Sequence, residues 1–215
     1  MKRNAGFTLI ELAIVLVVVG LLLGGVLKGQ ELIGSAKVKS LTSELKNLQT
    51  YMYTYQDKFR ALPGDDRSAA IHVGGTNAAG TQNASIDGVW NGASLPAASE
   101  TELFWQHVRL AGLANGSTNI NTAGYYPRNT EGGRIGVQSS ATLAVLTNMP
   151  AGHAGCMDGL SSKLVTQMDI LLDDGETSSG SLRAYDTAVL TARDGDSTAS
   201  INAAPAASYA VCLAF

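Results

Sequence analysis

Residues 6–28 read GFTLIELAIVLVVVGLLLGGVLK, an apolar run interrupted by one acid, Glu11. From 12 to 27 the chain offers only Leu, Val, Ile, Ala and Gly. As a helix, residues 7–27 would cover about 30 Å, the thickness of a bilayer's hydrocarbon core. A carboxylate near the end of such a segment costs about 3 kcal/mol even on lenient insertion scales, so it marks a functional site with a partner to be found. Lys2 and Arg3 lie just before the run. Positive charge there holds an N-terminus in the cytoplasm and sends the following chain outward.

Three readings of this N-terminus compete. A secretory signal peptide has the same basic start and apolar centre, and Gly34, Ser35 and Ala36 offer small residues for cleavage. The run is longer than a usual signal core, however, and Lys28 and Glu31 intervene before that site. A plain transmembrane anchor accounts for length and flanking charge and leaves Glu11 unexplained. The third reading accounts for all three features. GFTLIEL resembles the processing motif of type IV pilins and type II secretion pseudopilins.

In that family a membrane-embedded prepilin peptidase removes a short basic leader after a glycine and N-methylates the new first residue. The resemblance implies a leader over 1–6 carrying Lys2 and Arg3, cleavage after Gly6, and Phe7 as the methylated N-terminus. It further implies that Glu11 is an assembly residue, meeting the terminal amine of Phe7 on a neighbouring subunit. The chemistry agrees. Glycine gives a peptidase an unobstructed backbone, and a buried amine and a buried carboxylate are each costly until paired. The implied partners are the peptidase, other pilin or pseudopilin subunits bound through the N-terminal helix, and the bacterial inner membrane. The head would then be periplasmic in the precursor, and the filament would lie in the periplasm or on the cell surface. The chain departs from the family in one respect. Major subunits usually carry a proline near the end of the apolar stretch, and here the first proline is Pro63. The departure favours a minor or specialised subunit.

Beyond the apolar run, Val38, Leu41, Leu45, Leu48, Met52, Tyr55, Phe59 and Leu62 recur three and four apart. That spacing predicts an amphipathic helix over 28–62 covering a sheet, ended by Pro63 and Gly64. The head, 63–215, opens with a Gly-, Ala-, Asn- and Ser-rich irregular segment over 73–99. A short helix follows, with Leu103, Phe104, Val108, Leu110 and Leu113 in helical spacing and Glu100 and Glu102 in its first turn. The stretches RIGVQ, TLAVLT, LVTQMDILL, LRAYDTAVLT and ASYAVCLAF, separated by turn-forming residues, predict short antiparallel strands. The expected fold is α+β and pilin-like: a long N-terminal helix, hydrophobic then amphipathic, packed on an antiparallel-sheet head with long irregular loops. In YMYTY, the tyrosines Tyr51, Tyr53 and Tyr55 are expected to pack on that head.

Charge is unevenly distributed. Residues 61–215 hold seven Lys or Arg against fourteen Asp or Glu, a net of −7. Such a head opposes the phosphate backbone, so no nucleic-acid partner is expected and a DNA-uptake role is disfavoured. The two cysteines, Cys156 and Cys212, are free thiols if the chain is cytosolic and one disulfide if it is exported. No Walker loop, nucleophile elbow, HExxH or dinucleotide fingerprint occurs, and His72, His107 and His153 are scattered. The chain is therefore read as structural rather than enzymatic, with no cofactor. Calcium is the one ion to weigh: DDGE (Asp173, Asp174, Glu176) and DGD (Asp194, Asp196) place hard oxygen donors in Gly-containing turns. The resemblance points the same way, since major pseudopilins bind calcium through late loops. Three functions stay open: a type IV pilus subunit for adhesion or motility, a type II secretion pseudopilin, and, remotely, a membrane-tethered periplasmic enzyme or binding protein.

Overall fold

The computed structural model describes residues 9–80, 82–92, 99–189, 194–205 and 207–215. Helix α1 spans Leu9–Phe59. The chain divides into two compact units, 1–39 and 40–215, and the division falls inside α1. The described part of the first unit is helix alone.

The second unit begins with the amphipathic end of α1. Leu41, Leu45, Leu48, Met52 and Tyr55 are fully buried or nearly so, one per turn along a single face. The helix stops at Phe59, three residues short of the expected Leu62. Arg60 turns left-handed at φ 55° while its N–H still donates to the Gln56 carbonyl at 2.8 Å, so the chain leaves the helix before Pro63 is reached. Gly64 follows at φ 98°, and a Cβ there would sit 2.4 Å from the carbonyl oxygen of Glu100. Only glycine allows this close approach to the helix that Glu100 begins.

That helix, α3, spans Glu100–Leu110, after the single turn α2 (Ala69–His72). Ser99 caps α3 by accepting from the Glu102 N–H, and both acids of the first turn sit where expected. Strands β1 (Ile135–Ser139) and β2 (His153–Leu160) come next, then helix α4 (Ser162–Leu172). Strand β3 (Leu182–Asp186), helix α5 (Thr198–Ala203) and strand β4 (Tyr209–Ala214) complete the order. The four strands form one antiparallel sheet in the order β1-β2-β4-β3. The fold is α+β, a long N-terminal apolar helix with a C-terminal antiparallel sheet.

Both faces of the sheet are covered. On one, Leu48 of α1 lies directly over Gly155. On the other, Cys156, Ala154, Ala210, Cys212 and Tyr185 of the sheet form a core with Trp90, Leu143 and Leu146 from the loops. Gly136 of β1 admits the backbone of Trp90, whose carbonyl oxygen would be 2.1 Å from an added Cβ. Central strands covered this way lose the alternation of buried and exposed residues.

Two of the expected strands take other forms. LVTQMDILL lies in α4, where Leu164, Val165 and Met168 face inward at helical spacing. A nine-residue apolar run suits either conformation, and only packing decides. TLAVLT forms no strand: Leu143 and Leu146 fill the loop-side core after a single 3-10 turn. Strand β2 itself, HAGCMDGL, lies outside all the expected strand segments.

Candidate functional site: an apolar helix bearing one acid

Every residue from 9 to 28 is exposed within the chain, the large apolar ones by 46–87 %. The segment has a mean hydropathy of 2.8 over its most apolar window, and none of that window is buried. So large and continuous an apolar surface requires a membrane or other apolar helices around it. Added methyl groups at Gly20, Gly24 or Gly25 would touch nothing, so no contact within the chain requires glycine there. Glu11 lies in the first described turn, exposed, on this same surface. Gly6 and Phe7, the expected processing residues, and Lys2 and Arg3 of the expected leader lie outside the described residues.

The head's ionisable groups serve its own architecture. Asp66 is fully buried, and its Oδ2 accepts the Tyr55 hydroxyl at 2.7 Å and lies 2.7 Å from His72 Nδ1. Its Oδ1 accepts the Ser68 N–H at 2.8 Å. Burial pushes the Asp66 carboxyl up, but the bonds from His72, Tyr55 and Ser68 outweigh it and hold the group below the usual carboxylate range. His107 is buried with both ring nitrogens in use: Nδ1 accepts from the Gly64 N–H at 3.0 Å, and Nε2–H donates to the Thr76 carbonyl at 2.8 Å. Burial lowers its pKa, so the ring is held neutral. These histidines are occupied by backbone and carboxylate and do not converge on a metal site. Of the tyrosines in YMYTY, Tyr55 is buried, Tyr51 is half-buried, and Tyr53 meets the ring of Phe215 edge-on at 6.3 Å.

Cys156 and Cys212 are joined by a disulfide across β2 and β4, where they stand directly opposite. The acids of DGD are engaged separately. Asp194 Oδ1 accepts from Thr147 Oγ1 and Asn148 Nδ2 and lies 3.9 Å from Arg183, while Asp196 Oδ2 accepts the Asp186 N–H at 2.6 Å. Asp173 and Asp174 are elsewhere, at the end of α4, where they meet a third acid, Asp169. Sequence reading missed Asp169. Its signal was the four-residue spacing to Asp173, meaningful only once the segment is known to be helical.

An apolar helix with an acid in its first turn, continuing into a disulfide-bonded α+β head, describes a membrane-anchored precursor. Residues 1–27 match a family model described as the prokaryotic N-terminal methylation motif, the signature of type IV pilins and pseudopilins. The family that carries this motif is structural, is processed by prepilin peptidase and assembles with other pilin subunits. No curated protein and no solved structure matches the chain.

Proposed function

We propose that this chain is a structural subunit of a type IV pilus, of the minor or specialised kind, serving adhesion or motility. The single observation that carries the proposal is Glu11: an acid on the exposed surface of an apolar helix whose first residues match the methylation motif. In this reading the precursor sits in the bacterial inner membrane with Lys2 and Arg3 on the cytoplasmic side and the head in the periplasm. Prepilin peptidase cuts after Gly6 and methylates Phe7. Glu11 then pairs with the Phe7 amine of an adjacent subunit, so that two groups too costly to bury singly are buried together. The apolar surfaces of neighbouring helices close against each other, removing lipid or water from residues 9–27. The head does no chemistry; its disulfide and two-sided core provide a stable outer surface.

Support for a minor role comes from the lack of proline before Pro63. Two measurements test the assignment. Mass spectrometry of the native N-terminus should find a chain beginning with N-methylated Phe7. Fractionation should find the chain in filaments sheared from the cell surface. A processed chain confined to the periplasm, whose deletion blocks protein export and spares pili, would instead identify a secretion pseudopilin.

A further inference from the structure

Although the head is acidic overall, two of its arginines stand together. Arg128 and Arg134 face each other across an isolated antiparallel bridge, so their side chains leave the same side of the paired backbone. Asn129 fixes the turn between them, its Oδ1 accepting the N–H groups of Glu131 and Gly133 at 3.0 Å each. Like charges placed opposite one another repel, and an anion between them relieves the repulsion. Among the described residues no carboxylate forms an ion pair with either guanidinium. Asp158 accepts the backbone N–H of Arg134 at 2.6 Å instead.

We propose that Arg128 and Arg134 form, with Tyr126 and Thr122, a binding site for a sugar acid, a pyranose ring carrying one carboxylate. Both arginines line a cleft of about 330 Å³, together with Tyr125, Tyr126, Thr122 and Ile120. That volume lies within the range of small-molecule sites. Arg128 Nη1 donates to the Gly132 carbonyl at 2.6 Å, and Arg134 Nη1 donates to the Asn91 carbonyl. A guanidinium carries five donors, so most of each fork is left for a ligand. Such planar forks match the two oxygens of a carboxylate. The guanidinium carbon of Arg134 lies 5.9 Å from the centroid of the Tyr126 ring, which is half-buried, so charge and aromatic surface share the cleft. Thr122, exposed, adds a hydroxyl. Arginine, ring and hydroxyl answer in turn to the carboxylate, the apolar face of a pyranose and its hydroxyl groups. A polyanion would meet the net −7 of the whole head, whereas a single carboxylate meets chiefly the two arginines.

The loop that supplies Thr122, Tyr125 and Tyr126 is held from within by a third arginine, Arg109, which is buried. Its Nε donates to the Asn115 carbonyl at 3.2 Å, Nη1 to that of Ser117 at 2.8 Å and Nη2 to that of Tyr125 at 2.9 Å. Its guanidinium carbon also lies 4.7 Å from the centroid of the Tyr125 ring and 5.4 Å from that of Trp105. Tyr125 in turn meets Tyr126 edge-on at 5.7 Å. A wall fixed in this way loses little freedom when a ligand arrives, which is what a preformed site requires. Glu102, whose charge acts on both tyrosines, does not line the cleft. On the pilus reading the site gives the head a ligand for adhesion. Binding rests on the head alone, so its failure would leave that reading standing.

Full-length protein in detergent micelles is titrated with methyl β-glucuronide, and binding is read by saturation-transfer NMR of the sugar protons. The glucuronide should bind saturably with Kd on the order of 1 mM, as befits a ligand of this size. Methyl β-glucoside, the same ring without the charge, should bind at least about tenfold more weakly. Arg128→Gln, at an exposed position, should weaken glucuronide binding at least about tenfold with Tm unchanged. Thr122→Glu, which places a negative charge in the cleft and leaves both arginines intact, should do the same. Arg67→Gln, which removes an exposed arginine outside the cleft, should bind like the parent. No binding by the parent up to about 20 mM would overturn the proposal, as would equal binding of the glucoside or undiminished binding by Arg128→Gln and Thr122→Glu. Displacement of the glucuronide by an equal concentration of acetate or inorganic phosphate would overturn the assignment to a sugar acid.

Discussion

The Tyr55 hydroxyl donates to Asp66 Oδ2 at 2.7 Å, tying the buried face of α1 to the turn that leaves it. The same oxygen receives His72, and Ser68 holds the other. Replacing Asp66 with Ala would strand the buried Tyr55 hydroxyl and the half-buried His72 ring and take the acceptor from the Ser68 N–H, and we expect a loss of about 3–5 kcal/mol in urea unfolding. A loss below about 1 kcal/mol would show that the network is not structural.

The same carboxyl sets a pH signature. Its folded pKa lies below the unfolded value, which is near 3.9. Its contribution is therefore full above about pH 4 and is lost as pH falls through the folded value. The stability gap between the parent and Asp66→Asn should stay constant near neutrality and narrow below about pH 4. A gap that widens on acidification would contradict the assignment.

The Cys156–Cys212 bond closes a sequence separation of 56 residues. On the chain-entropy account such a loop is worth about 4 kcal/mol, so the double Cys156→Ala, Cys212→Ala variant should melt well below the parent under identical conditions. Alkylation under denaturing, non-reducing conditions should label neither cysteine of exported protein. Labelling of both would place the chain in a reducing compartment.

Division of the chain at residues 39 and 40 makes the amphipathic end of α1 part of the head. A fragment comprising 28–215 should be soluble and cooperatively folded when made under oxidising conditions. A fragment comprising 63–215 lacks Leu41, Leu45, Leu48, Met52 and Tyr55, all buried, and should aggregate. Solubility and a sharp melting transition in the shorter fragment would show that the stripe is dispensable.

How much of this was legible beforehand varied with the physics of each element. The apolar helix was plain because no other structure shelters so long an apolar run, and the stripe from Leu41 to Tyr55 kept strict helical spacing. Strand β2 was hidden because its residues answer to close approach, not to strand propensity. Gly155 lies beneath Leu48, and Cys156 is committed to the disulfide. In α4 the opposite failure occurred: an apolar run read as strand is helical because Leu164, Val165 and Met168 share one buried face. That misreading also concealed Asp169, which joins Asp173 only through a helical turn. The tie between Tyr55 and Asp66 crosses the helix end and had no sequence signal beyond two adjacent acids after Pro63 and Gly64.

Glu11 carries the central claim, and one comparison tests it most directly. In cells expressing Glu11→Ala, the fraction processed to begin at Phe7 and the fraction recovered in sheared filaments are measured together. Removing the acid lowers the cost of membrane insertion, so insertion and cleavage after Gly6 should persist. Assembly should collapse, because each Phe7 amine would be buried without its partner, a loss of about 3–5 kcal/mol per subunit. Glu11→Asp, which keeps the charge and shortens its reach, should fall between. Processed Glu11→Ala chains absent from filaments are the predicted result; filaments containing them at the parental level would contradict the account.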